Sequence, residues 1–138
     1  MSDSGQLFVV GTPIGNLEDI TLRAISTLQN VDMVLAEDTR NSKKLLDAHN
    51  IDTKMISYHE HSSEKDIKRI INLLLEGKDL ALISDAGTPT ISDPGYGLIR
   101  DCIKNNIIIT PIPGASAITA AMSIAGLPSD SFTFIGFL

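Results

Sequence analysis

Leu80-Ala81-Leu82-Ile83-Ser84-Asp85-Ala86-Gly87-Thr88-Pro89-Thr90-Ile91-Ser92-Asp93-Pro94-Gly95 decides the fold. Its first four residues form an apolar run of the kind found in strands covered on both faces of a parallel sheet. In the loop that follows, Gly87, Pro89, Pro94 and Gly95 fix the backbone, while Ser84, Asp85, Thr88, Thr90, Ser92 and Asp93 offer oxygens. Open α/β sheets hold their ligands at the carboxyl ends of the strands, so this loop is suited to a small polar molecule. A plain strand-to-helix connection with an N-cap at Ser92 or Asp93 explains only the end of the stretch.

On either side, apolar runs alternate with helical patterns, which is the rhythm of a parallel sheet covered by helices. Strands are expected at 7–10, 33–36, 55–58, 80–84 and 107–111, with a further one from Phe132. Helices are expected at 18–28, 42–49, 64–76, 96–105 and 115–125. The third helix is the clearest. Ile67, Ile70, Ile71 and Leu74 recur at helical spacing, Ser63 with Asp66 forms a candidate capping box, and Gly77 can close the end. The expected fold class is α/β: an open, mostly parallel five- or six-stranded sheet with helices on both faces, in a single domain over residues 1–138.

A 43% hydrophobic fraction in 138 residues supports a buried core and argues against disorder. The formal charge of -6 gives no overall footprint for nucleic acid, although Arg23, Arg40, Lys43, Lys44 and Lys54 leave room for a local basic patch in the first half. Cys102 is the only cysteine and lies in an apolar helical segment, so it reads as a core residue and not a catalytic thiol. With no intrachain disulfide and no leader pattern in residues 1–6, the expected setting is the cytoplasm. Residues 105–129 carry no charge, but Pro111, Pro113 and Gly114 divide them into pieces too short to span a membrane.

The first loop, Gly11-Thr12-Pro13-Ile14-Gly15-Asn16, departs from the dinucleotide fingerprint, and Pro13 removes an amide that a pyrophosphate cradle would use. A dinucleotide-binding Rossmann fold is therefore disfavoured. The glycine-rich lysine loop of nucleoside triphosphatases is absent as well. His59-Glu60-His61 invites a metal reading, but His49 is the only other histidine and no cysteine lies near, so no metal is expected. His59 reads better as a substrate contact or proton carrier, with a chemically idle surface loop as the alternative.

Taken with Val10-Gly11-Thr12-Pro13-Ile14-Gly15-Asn16-Leu17, Ala36-Glu37-Asp38-Thr39-Arg40 and Pro111-Ile112-Pro113-Gly114-Ala115-Ser116-Ala117, the long loop completes a pattern that resembles the tetrapyrrole-methylase superfamily of S-adenosylmethionine-dependent enzymes. The resemblance runs over residues 7–138 and is strongest to the branch that methylates a cytidine ribose 2′-oxygen in small-subunit (16S) rRNA. It implies the N-terminal domain of such an enzyme, with S-adenosyl-L-methionine as cofactor and small-subunit rRNA or the 30S subunit as partner. No membrane partner is implied; a homodimer is. It also implies a second domain beyond this chain, and the apolar run from Phe132 to Leu138 suggests continuation.

By the same resemblance, Pro13, Gly15, Asp85, Ala86, Gly87, Ile91, Gly114, Ser116 and Ala117 line the cofactor cleft, and Glu37, Asp38, Arg40 and His59 act on the substrate side. Other readings of these residues stay open. The Pro113–Ser116 segment is also a turn whose serine can cap the next helix, and Glu37, Asp38 and Arg40 are also compatible with a solvated loop holding a local ion pair. Relatives that methylate uroporphyrinogen or precorrins carry Gly-Asp-Pro where this chain has Asp85-Ala86-Gly87-Thr88-Pro89, which favours the RNA branch over a tetrapyrrole methyltransferase. A non-catalytic module is the remaining alternative.

Overall fold

The computed structural model describes residues 3–59, 62–92 and 94–137. Five strands, β1 (Leu7–Val10), β2 (Met33–Ala36), β3 (Lys54–Ser57), β4 (Leu80–Ile83) and β5 (Ile109–Ile112), form one sheet in the order β3-β2-β4-β1-β5. Every pairing is parallel. The carboxyl ends of all the strands therefore lie along one edge of the sheet, as the sequence pattern requires.

The helices are α1 (Leu22–Asn30), α2 (Thr39–Ala48), α3 (Glu64–Leu75), α4 (Tyr96–Lys104) and α5 (Ala117–Ile124), with a short 3-10 turn at Leu17–Asp19. Successive side chains of a strand point to opposite faces, and β4 shows what this does. Ala81 and Ile83 join Val10, Val34 and Ile112 in a core under α1 and α2, where Ala24, Leu28, Leu45 and Leu46 close it. Leu80 and Leu82 join Leu7 and Leu35 on the other face, against Ile70, Ile71 and Leu74 of α3 and Leu98 and Cys102 of α4. All four β4 residues are buried, which is why this strand reads as an uninterrupted apolar run.

Helix starts follow local chemistry. Thr21 and Asp38 accept from the first free amides of α1 and α2. Ser63 and Asp66 make the expected capping box at α3, and the Ser63 hydrogen bonds hold the exposed Asp66 carboxyl below its usual range. The α4 helix differs. The expected cap at Ser92 is not made, Asp93 lies outside the described residues, and the N-cap is Gly95, which has no side chain to offer. The Leu98 amide in the first turn of α4 meets the hydroxyl of Tyr58 from the end of β3.

The sixth strand is not formed: residues 132–137 have no strand pairing. The reason lies in β5. Ile108 and Ile112 accept hydrogen bonds from Leu7 and Gly11, so the intervening Pro111 turns its nitrogen toward the open edge. That nitrogen has no hydrogen to donate, which weakens this edge as a template for a further strand. The α1 segment also differs from the expected helix at 18–28, because the turn at Leu17–Asp19 ends at Ile20 and Thr21 restarts the chain.

Cys102 is fully buried, and burial pushes its thiol up to about 12. The thiolate is the reactive form, so a thiol reagent at pH 8 should label the native chain far more slowly than the denatured chain. The raised value means that the folded state keeps a proton the unfolded chain gives up above about 9. This contribution to stability is complete below that pH and is lost as the pH rises toward 12. Rapid labelling in native buffer would contradict the burial.

Candidate functional site

The loops after β1 and β4 are tied together where they leave the sheet. Thr12 N–H donates to the Gly87 carbonyl at 3.0 Å, and Gly87 N–H donates back to Thr12 at 3.1 Å. The Thr12 hydroxyl, 1% exposed, donates to the carbonyls of Ser84 and Gly87. The Ser84 hydroxyl, also buried, donates to Ala86 and Gly87. These two hydroxyls are thus used inside the clasp, whereas the sequence suggested Ser84 as a ligand oxygen. Gly87 sits at φ +79, in the left-handed region that glycine adopts without strain.

The loop after β5 approaches from the other side of β1. A Cβ on Gly11 would lie 2.9 Å from the Gly114 backbone, and one on Gly114 would lie 2.9 Å from Gly11. The two glycines permit the contact. Gly114, expected to line the cofactor cleft, is therefore explained by packing against Gly11. Ser116 caps α5, its oxygen accepting from Thr119 N–H at 3.5 Å, and also lines the cleft.

That cleft has two chambers. One, of about 320 Å³, is walled by Ile14, Ala86, Gly87, Ile91, Ala117 and Phe134, among others, with no charged side chain among the described residues. The other, of about 420 Å³, is walled by Pro13, Gly15, Asn16, Asn41, Lys44 and Asp85, among others. Ile14 and Ala86 line both, which joins them. Of the nine expected cofactor residues, Pro13, Gly15, Asp85, Ala86, Gly87, Ile91, Ser116 and Ala117 line one chamber or both, and Gly114 does not.

The expected substrate-side residues fall into two places. Asp38 and Arg40 border a shallow cavity beside the charged chamber, with Asn41 and Lys44. Asp38 accepts from the amides of Arg40 and Asn41, and its own N–H donates to Asp85 at 3.3 Å, so it links α2 to the β4 loop. The Arg40 guanidinium lies 3.9 Å from the Asp38 carboxylate and is almost fully exposed, a weak pair by itself. Glu37 stands at the end of β2, half-buried. His59 lies apart from this group, in a cavity after β3, while Glu60 and His61 fall outside the described residues. Among the described residues no cluster suits a metal ion.

Sequence reasoning missed Ile118 and Phe134 as cleft walls, Phe134 because its segment read as a strand. A cavity of about 490 Å³ between the end of α2 and the start of β3 lies at the opposite edge of the sheet, away from these loops. No helix among the described residues is long and apolar enough to cross a membrane.

The family model for tetrapyrrole (corrin/porphyrin) methylases matches residues 6–138. Ribosomal RNA small subunit methyltransferase I of Halalkalibacterium halodurans is 57% identical over 136 residues, which is 99% of this chain and 47% of that protein. The Thermotoga maritima protein of the same name is 52% identical over 97% of this chain and 60% of its own length. The chain thus spans about half the length of the curated relatives it matches. Among solved structures, uroporphyrin-III-C-methyltransferase from Thermus thermophilus superposes with a TM-score of 0.67 at 24% identity, over 90% of this chain and 54% of that one. Cobalt precorrin-4 methyltransferase gives 0.68 at 20%, over 90% and 53%. At these identities the structures speak for the fold.

Two substitutions test the local account. Gly11→Ala forces its methyl into the Gly114 backbone and should lower stability by about 1–3 kcal/mol in thermal or denaturant unfolding. Tyr58→Phe leaves the Leu98 amide without its side-chain partner and should cost about 1–2 kcal/mol. Wild-type stability in either variant would remove the corresponding contact from the account.

Proposed function

The chain belongs to the tetrapyrrole (corrin/porphyrin) methylase family, and we propose that it forms the donor-binding half of an enzyme that methylates a cytidine ribose 2′-oxygen in small-subunit rRNA. The observation that carries this reading is the two-chambered cleft built by the β1, β4 and β5 loops. S-adenosylmethionine has an adenosine at one end and a charged amino-acid group at the other. The cleft offers a matching contrast. Its uncharged chamber has apolar side chains and main-chain groups for a purine, and its charged chamber has the Asp85 carboxylate and the Lys44 ammonium for a zwitterion.

When bound, the donor supplies a methyl group already activated by its sulfonium. The chain's task is then alignment and proton removal. Pro13, Gly15, Asp85, Ala86, Gly87, Ile91, Ser116 and Ala117 hold the donor, and the Gly11–Gly114 contact keeps the β5 loop in place. Glu37, Asp38 and Arg40 orient the substrate ribose and its phosphate. His59 serves as a substrate contact or proton carrier, and the hydroxyl proton leaves as the oxygen–carbon bond forms and the carbon–sulfur bond breaks.

RNA is favoured over a tetrapyrrole by the names of the relatives at 52–57% identity, compared with at most 24% for the tetrapyrrole enzymes named above. The net charge of -6 is offset locally by Arg40, Lys43 and Lys44 on the exposed side of α2, where phosphates would approach. The 30S subunit is the expected partner and the cytoplasm the expected site of action. The α5 helix buries no residue, so a second domain or a second copy of the chain is expected to cover it.

The test is transfer of a labelled methyl group from S-adenosylmethionine by the enzyme at the full length of its relatives. Label should enter the RNA of small subunits, and transfer to uroporphyrinogen alone would contradict the reading. Asp85→Asn should weaken donor binding in a calorimetric titration by about tenfold, because it removes a charge facing the ammonium. Unchanged affinity would place the amino-acid end elsewhere.

A further inference from the structure

A separate cavity of about 480 Å³ opens at the far end of the β4 loop, walled chiefly by Tyr58, His59, Ser62, Ser92, Tyr96 and Phe137. We propose that it receives the pyrimidine base of the target nucleotide, swung out of its stack while the ribose is presented to the methyl donor; the inference rests on the RNA reading above. Three observations support it.

The first is chemical. Among the described residues its walls offer hydroxyl, imidazole and aromatic groups. A base is neutral and planar, with an edge of hydrogen-bonding groups that the Ser62 and Ser92 hydroxyls and the His59 ring can meet.

The second is the state of the rings. Tyr96 is 72% exposed and Phe137 89% exposed, an arrangement suited to stacking on a planar partner. Tyr96 is also held. The Arg100 guanidinium lies 5.8 Å from its ring centroid and is itself 3.6 Å from the Asp101 carboxylate. The main chain at this wall leaves little freedom, since a Cβ on Gly95 would lie 2.7 Å from the Thr90 methyl.

The third is continuity. Ile91 lines the donor cleft and its neighbour Ser92 lines this cavity; Phe134 and Phe137 are divided in the same way. A ribose at the donor end of the β4 loop, one glycosidic bond from its base, would place that base on the adjoining side of the same loop.

The test compares Tyr96→Ala, Tyr96→Phe and Phe137→Ala in the full-length enzyme, with 30S subunits as substrate and calorimetry for S-adenosylmethionine. Loss of a stacking ring should lower kcat/KM for the RNA by about ten- to a hundredfold in both alanine variants. Donor affinity should stay at the wild-type value, and Tyr96→Phe should remain within about threefold of wild type. Phe137 lies outside every helix and strand, so its variant reads the cavity even if Tyr96→Ala disturbs α4. Wild-type kcat/KM in the alanine variants, or a loss explained by weaker donor binding, would overturn the base assignment. A wild-type enzyme inactive on 30S subunits would refute the functional reading, and this assignment with it.

Discussion

The clasp between Thr12 and Gly87 is the constraint on which the site depends. Parallel strands bring loops to one edge of a sheet, but they leave each loop free to splay. Here reciprocal main-chain hydrogen bonds, backed by two buried hydroxyls, lock the β1 loop to the β4 loop. Buried polar groups must find partners, and in this clasp each hydroxyl satisfies a carbonyl of the adjoining turn. The result is a floor rigid enough to carry Ile14 and Ala86, the two residues that join the chambers above it.

Much of this was legible because the relevant signals are local. An apolar run longer than one face requires marks a central strand, and β4 is buried along its whole length. Ser63 and Asp66 announce α3 through a capping box that involves only neighbouring residues. Eight of the nine residues expected beside a cofactor line the cleft, and all lie in loops or at a helix start that follow strand ends, where an α/β sheet leaves its ligands.

What was not legible depends on partners distant in sequence. The apolar run from Phe132 suits a strand, but a strand needs a neighbour, and on the β5 edge Pro111 has no amide hydrogen to offer one. The N-cap of α4 is Gly95, with no side-chain cap hydrogen bond, and the Tyr58 hydroxyl that meets the Leu98 amide comes from the end of β3 on the same face of the sheet, a partner that no local pattern encodes. Gly114 stands in a turn motif that suggested a ligand contact, whereas its small size is required by Gly11. Asp38 caps α2, which starts at Thr39 and not at the expected position 42, and its link to Asp85 is one that no local pattern encodes.

Residue-resolved chemical shifts of this chain, recorded with excess S-adenosylmethionine, test the central claim most directly. Shared perturbations of Gly15, Ala86, Gly87, Ile91 and Ala117 are expected, because one ligand would touch both chambers. Perturbations confined to the cavity around Asn50 and Met55, at the opposite edge of the sheet, would contradict it.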